Sequence, residues 1–100
     1  MPTLMTLVLY HADCPDGFGA AWAAWKALGD DGVVYQAVRH GEGPPIAAWW
    51  ARALYVLDFS YPRATMDALA MRPLGSGVAP ETLVLDHHQT AADDLAGAPY

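Results

Sequence analysis

The sequence predicts an α/β fold with three layers, in which helices cover both faces of a mainly parallel sheet of about four strands. Four short apolar runs, rich in branched side chains, are bounded by polar or turn residues, as expected for strands buried on both faces. Helical segments separate these runs, and strands that alternate with helices form parallel sheets through right-handed crossovers. With 100 residues, of which 54% are hydrophobic, residues 1–100 are expected to form a single domain.

The first half of the chain is predicted to contain two strands joined by a helix. Residues 4–10 are apolar at nearly every position and form the first strand. Asp16 and Gly17 can start a helix, which continues from residue 18 to 28 until Gly29 stops it. The β-branched run at residues 33–38 is the second strand.

The helix after the first strand is rich in small residues. Glycine and alanine occupy positions 19–21, 23 and 24, which permits a close approach to the sheet. Trp22 and Trp25 are expected to fill the space that remains beside the sheet.

The second half continues the alternation of strands and helices. Pro44 and Pro45 can open a short helix, because proline is tolerated in a first turn, and Ser60 is expected to cap a later one. The predicted elements are a short helix at 46–52, a strand at 53–58, a helix from Tyr61 or Pro62 to about Ala70, an irregular crossover at 72–80, a strand at 83–86 and a short helix near 90–95.

Charge and cysteine content narrow the classes of function. A net charge of −6 argues against a protein that binds nucleic acid mainly through a basic face. The single Cys14 allows no intramolecular disulfide, and no segment fits a signal peptide or a spanning helix. We therefore expect a cytoplasmic protein without a membrane partner. Arg63 and Arg72 are expected to be surface charges.

Ligand-type side chains follow three of the predicted strands. The carboxyl ends of parallel strands meet at one edge of the sheet, where open α/β sheets bind their ligands. The residues expected at that edge are His11, Asp13, Asp16, Asp58, Asp86, His87 and His88.

Carboxylates and imidazoles together suit Mn²⁺ or a related borderline cation better than Ca²⁺ or structural Zn²⁺. We expect two Mn²⁺ ions, with Mg²⁺ or Co²⁺ as substitutes. Paired metals need a bridging carboxylate, and Asp58, alone at the end of a central strand, can fill that place. Such a pair activates a bridging water and neutralises charge on a phosphoryl group.

Three segments together resemble the motifs of the DHH phosphoesterase superfamily. They are residues 11–17 (HADCPDG), residues 56–58 (VLD) and the triplet Asp86-His87-His88, in the family's order and on the expected elements. The superfamily includes RecJ-like single-strand exonucleases, oligoribonucleases, cyclic-dinucleotide phosphodiesterases and family II inorganic pyrophosphatases. The resemblance covers nearly all of the chain.

The resemblance implies a Mn²⁺ pair and a role for each residue. His11 and Asp13 would hold one metal, Asp16 and His87 the other, and Asp58 would bridge them. Asp86 would orient the site or approach a metal, and His88 would face the substrate phosphate. Asp58, Asp86 and His88 are thus the implied catalytic residues.

The chain departs from the family pattern in two respects. Two residues separate Asp13 from Asp16, where the family commonly has one between its two acids, so the metal held by each acid stays open. Members of the family usually continue to a fourth aspartate motif and a C-terminal substrate-binding domain, and these 100 residues contain neither. We therefore expect an N-terminal DHH-type catalytic-domain core that is incomplete relative to the family.

Two functions from different classes remain open. The first is a Mn²⁺-dependent phosphoesterase that hydrolyses phosphodiester or phosphomonoester bonds of nucleotides, short oligonucleotides or single-strand ends. The second is a catalytically incomplete metal-binding remnant that acts as an interaction module or as one subunit of a split enzyme. A homo-oligomer, most simply a dimer, is also expected, with Trp49, Trp50 and residues 91–100 as contact surfaces.

Overall fold

The fold contains a four-stranded, all-parallel sheet, which confirms the predicted α/β class. In a computed structural model of the chain, the structure describes residues 5–12, 15–29, 31–39, 41–74 and 79–85. The strands are β1 (Thr6–His11), β2 (Val33–Val38), β3 (Ala53–Leu57) and β4 (Glu81–Leu85). Their order across the sheet is β2-β1-β3-β4, so β1 and β3 are the two central strands.

Two α-helices and a 3₁₀ helix connect the strands. Helix α1 (Pro15–Leu28) links β1 to β2, and the 3₁₀ helix Ile46–Trp49 lies between β2 and β3. Helix α2 (Arg63–Ala70) links β3 to β4. Helix α1 contacts β1 and β3, and α2 contacts β4. That the helices cover both faces of the sheet stays a prediction, and the helix expected near residues 90–95 lies outside the described residues.

Ser60 does not cap α2, which corrects the expected start of that helix. The N-cap position is Pro62, and no side chain caps it with a hydrogen bond. The ring of Pro62 disfavours a helical backbone at the preceding Tyr61, so the chain stays extended until Arg63.

The core is centred on β1 and β3. Leu7, Val8 and Leu9 are consecutive and fully buried, although successive side chains of a strand point to opposite faces. Both sides of the sheet are therefore covered at β1. The main core cluster comprises Leu7, Leu9, Val38, Ala48, Ala51, Leu54, Val56, Tyr61, Met66 and Leu69.

Arg72 is a buried structural residue and not a surface charge, which corrects the sequence prediction. Its side chain is 1% exposed, and burial lowers the pKa of its guanidinium. The guanidinium donates hydrogen bonds of 2.7–3.3 Å to the Thr82 hydroxyl and to four carbonyls, those of Ala51, Arg52, Leu69 and Glu81. Arg72 thus links three segments, namely the residues just before β3, the first residues of β4 and the C-terminal end of α2. Arg63, in contrast, is partly exposed and pairs with Asp67 at 3.0 Å.

Trp22 and Trp25 do not fill the space between α1 and the sheet. They are 56% and 45% exposed, whereas Gly17 is buried and Ala21 and Ala24 are partly buried. Each residue of an α-helix is rotated by about 100° from the one before it. When the small residues face the rest of the fold, the two indoles are therefore turned away from it. Within the described residues, no helix is both long enough and apolar enough to cross a membrane.

Candidate functional site

The order of the strands creates a switch point between β1 and β3. The strand that follows β1 in the chain is β2, which pairs with the edge of β1 that faces away from β3. The strand that follows β3 is β4, which pairs with the edge of β3 that faces away from β1. Where neighbouring connections diverge in this way, a crevice opens outside the carboxyl ends of the two strands, and open α/β sheets bind ligands there. The topology alone thus predicts a ligand-binding site at the carboxyl ends of β1 and β3.

His11 and Asp58 flank this switch point. His11 is the last residue of β1, and Asp58 directly follows Leu57, the last residue of β3. Tyr10 and Leu57 are paired in register, so His11 and Asp58 are the next residues along two adjacent strands. Adjacent strands lie about 4.8 Å apart. An imidazole and a carboxylate are therefore carried by neighbouring strand ends.

The backbone at Asp58 has an unusual conformation. Its φ is +64°, and among the described residues it is the single non-glycine residue with a positive φ. Aspartate tolerates this left-handed region better than most residues, but the conformation still costs about 1 kcal/mol. The Asp58 N–H donates a 2.8 Å hydrogen bond to the Leu85 carbonyl, which ties the turn to the end of β4.

Asp58 is also buried, with 6% of its surface exposed. A buried aspartate in the left-handed region, at the end of a central strand, is a backbone outlier from which a functional role can be inferred.

Helix α1 approaches the end of β1 very closely at Gly17. A Cβ atom at this position would overlap the His11 carbonyl oxygen and lie 3.0 Å from the carbonyl carbon. Only glycine fits there without a shift of backbone. The first turn of α1, which contains Asp16, is therefore held against the residue that ends β1.

The described residues contain three of the seven predicted site residues. His11, Asp16 and Asp58 are all at the carboxyl edge, with Asp16 on the first turn of α1. The other four, Asp13, Asp86, His87 and His88, lie outside the described residues. Within the described ranges, no group of three or more His, Cys, Asp or Glu side chains is arranged to hold a metal ion. The complete ligand set thus stays a prediction.

Tyr61 is a buried polar residue of the core that was not singled out from the sequence. It follows Asp58 by three residues and is 6% exposed, and its ring packs edge to face against Phe59 at 5.1 Å. Within the described part of the chain, its hydroxyl has no hydrogen-bond partner. Burial raises the pKa of Tyr61 to about 12, and the negative charge of Glu42 adds to the rise.

Neither Tyr61 nor Gly17 was given a role of its own from the sequence, although Gly17 closes the motif at residues 11–17. The tyrosine carries no local pattern that separates it from an ordinary core aromatic residue. Gly17 does carry one, because a glycine in the first turn of a helix directly after a strand often permits close approach of backbone.

Comparisons of the chain with models of protein families, with curated proteins and with solved structures gave no match.

Proposed function

We propose that this chain is a Mn²⁺-dependent phosphoesterase of the DHH type, with its site at the carboxyl edge between β1 and β3. The observation that carries the proposal is the pair of residues at the switch point. His11 and the buried, backbone-strained Asp58 end two adjacent parallel strands. The sequence places Asp86-His87-His88 directly after β4, the neighbour of β3.

The described donors fit a borderline divalent cation. An imidazole and a carboxylate from neighbouring strand ends are ligand types that Mn²⁺ accepts, and a rigid sheet fixes their separation. The proposed metal ligands are His11, Asp13, Asp16, Asp58, Asp86 and His87. When bound, a metal pair supplies an activated water and neutralises phosphoryl charge.

The roles proposed for individual residues are those that the resemblance to the DHH superfamily implies. The strained turn and its backbone hydrogen bond to β4 fix the main chain at Asp58, which supports a bridging role for its carboxylate. The contact at Gly17 fixes Asp16 relative to His11. His88 would contact the substrate phosphate, and Asp86 would orient the neighbouring imidazoles.

The proposed substrates are nucleotides, short oligonucleotides or single-strand ends with a phosphodiester or phosphomonoester bond. The net charge of −6 repels a long polyanion, because each phosphate outside the metal site would meet the negative field of the protein. A short substrate avoids most of that repulsion. We therefore expect turnover to fall as the length of a single-stranded substrate increases.

Mn²⁺ binding to the Asp58→Asn variant tests the proposed site. Asparagine keeps the shape of the side chain and tolerates a positive φ, so the fold should persist while the charge is lost. By calorimetry we expect Mn²⁺ affinity to fall by about tenfold or more, and the Asp31→Asn control, in the exposed turn before β2, to bind as the wild type does. Equal affinity for all three proteins would refute a metal site at Asp58.

Hydrolysis of bis-p-nitrophenyl phosphate with added Mn²⁺ tests the activity. We expect turnover by the wild type, a large loss in Asp58→Asn and no change in Asp31→Asn. We also expect Mn²⁺ to bind more tightly than Mg²⁺, which accepts nitrogen ligands reluctantly. A chain that binds Mn²⁺ through Asp58 but shows no turnover would contradict the enzymatic proposal and favour the metal-binding subunit of a split enzyme.

A further inference from the structure

One face of the edge strand β4 is apolar and exposed. Leu83 and Leu85 are 40% and 58% exposed. Val84 lies between them and packs against the main core cluster. Successive side chains of a strand point to opposite faces, so Leu83 and Leu85 lie on the face of β4 that is turned away from this cluster. Strands of parallel sheets are normally covered on both faces, so a cover is expected here as well.

The same face of the sheet is covered on the neighbouring strand. Leu85 is paired in register with Leu57 of β3, which is 6% exposed, and Leu83 is paired with the partly buried Tyr55. Helix α1 contacts β1 and β3. Within the described part of the chain, the cover of this face therefore ends between β3 and β4.

The size of the exposed strip favours a short covering segment over a separate protein. The exposed fractions of Leu83 and Leu85 together amount to about one whole leucine side chain. Apolar patches that mark interfaces cover several hundred Å², and stable interfaces bury about 1,200 Å² or more. A segment of the same chain needs far less contact area, because its tether keeps it at a high effective concentration.

The chain supplies such a segment at this place. It leaves β4 at Leu85, which is itself part of the strip, and residues 86–100 follow. A helix advances by 1.5 Å per residue and a strand by about 3.3 Å. A helical turn-back of about nine residues after the triplet at 86–88 would therefore match the length of β4, which has five residues.

The residue pattern of this segment suits the strip. Each residue of a helix is rotated by about 100° from the one before it. In a helix near residues 90–97, one side would therefore be apolar, with Ala91, Ala92, Leu95 and Ala96. The other side would carry Asp93 and Asp94, which suits a surface in contact with water. The alanines allow a close approach to β4, and Leu95 is long enough to reach both leucines.

From the exposed strip, its small size and the segment that follows it, we propose that residues 89–97 fold back along β4 of their own chain. They cover Leu83 and Leu85, with Leu95 packed against both. This occupant differs from the second copy that was expected to contact residues 91–100. The proposal does not depend on the proposed enzymatic function.

Broadening of methyl signals by a soluble nitroxide tests the cover. Val34 is the reference, because it is 45% exposed and belongs to β2, the other edge strand. In the wild type, the Leu83 and Leu85 signals should be broadened about threefold less than those of Val34, because a packed segment keeps the probe out of contact. Leu95→Ser should remove this protection. Asp94→Ser, on the outer side of the segment, is the matched control and should keep it.

Three results of this experiment would overturn the proposal. The first is equal broadening of Leu83, Leu85 and Val34 in the wild type. The second is protection that persists in Leu95→Ser. The third is a loss of protection in Asp94→Ser that equals the loss in Leu95→Ser. Circular dichroism shows that each variant is folded.

Nuclear Overhauser effects between methyl groups identify the occupant. Leu95 should show them to Leu83 or Leu85 of the same chain, because packed side chains lie within about 4.5 Å of each other. In a mixture of isotopically labelled and unlabelled chains, an isotope-filtered spectrum contains only the contacts between copies. The effects should be absent from that spectrum. Their presence there would show that a second copy covers β4, and a wild type without them in either spectrum would exclude Leu95 as the cover; each result would overturn the proposal.

Discussion

Substitution of Gly17 by alanine should loosen the junction between α1 and β1. A methyl group at this position would overlap the His11 carbonyl oxygen. The Cβ atom is attached directly to the main chain and the carbonyl oxygen belongs to it, so no side-chain rotation can relieve the overlap. The first turn of α1 must therefore move. The change should destabilise the fold and displace Asp16 from His11.

The magnitude follows from two opposing contributions. Alanine is favoured over glycine within a helix by about 1 kcal/mol. Overpacking of a tight contact costs about 1–3 kcal/mol. Gly19 lies on the same helix, and a Cβ there would meet nothing within 4 Å, so Gly19→Ala shows the helical gain alone. We expect Gly17→Ala to unfold more easily than Gly19→Ala by about 1–3 kcal/mol.

Urea unfolding followed by circular dichroism measures this difference. Both variants are compared at the same chain concentration, because the dissociation of an oligomer would contribute to the unfolding free energy. Gly17→Ala should also weaken Mn²⁺ binding, whereas Gly19→Ala should not. Equal unfolding free energies for the two variants would refute the close contact between Gly17 and His11.

Two further predictions concern buried polar side chains. Arg72→Met leaves buried carbonyl acceptors without a donor, and we expect it to lower the free energy of unfolding in urea by at least about 1–3 kcal/mol. Arg63→Met, on the surface of α2, should lower it by less than about 0.5 kcal/mol. Similar costs for the two variants would contradict the structural role of Arg72. Burial raises the pKa of Tyr61 to about 12, above the value of about 10 in the unfolded chain. The contribution of the neutral phenol to the free energy of unfolding is therefore complete below pH 10 and is lost as the pH rises towards 12. Above pH 10 the wild type should lose roughly 2–3 kcal/mol of unfolding free energy that Tyr61→Phe does not lose. If the unfolding free energies of the wild type and of the variant depend on pH in the same way, the raised pKa of Tyr61 is contradicted.

Local patterns were sufficient to predict most of the fold. The second strand has the predicted bounds, and α1 ends at Leu28 because Gly29, with φ +73°, adopts the left-handed conformation that stops it. The fourth strand begins two residues earlier than predicted. Glu81 is paired with Ala53 of β3, so the hydrogen bonds of the ladder extend the strand into a segment that is not apolar.

The features that local patterns did not predict depend on contacts between distant segments. Arg72 is buried because acceptors at residues 51–52, 69 and 81–82 surround its guanidinium, and no neighbour in sequence signals that arrangement. Trp22 and Trp25 were expected beside the sheet because they are large and apolar. Which side of α1 faces the fold is decided instead by the fit of Gly17 against His11.

Both the sequence pattern and the observed order of the strands were needed to locate the candidate site. The sequence predicted that several strands end in ligand-type residues, but any order of parallel strands would bring those ends to the same edge. The order β2-β1-β3-β4 makes β1 and β3 neighbours and places His11 and Asp58 on either side of the switch point. Glycine in the Asp58 position would avoid the backbone strain. The presence of an aspartate there, beside the switch point of the sheet, is the strongest support for the cation site that we propose at this edge.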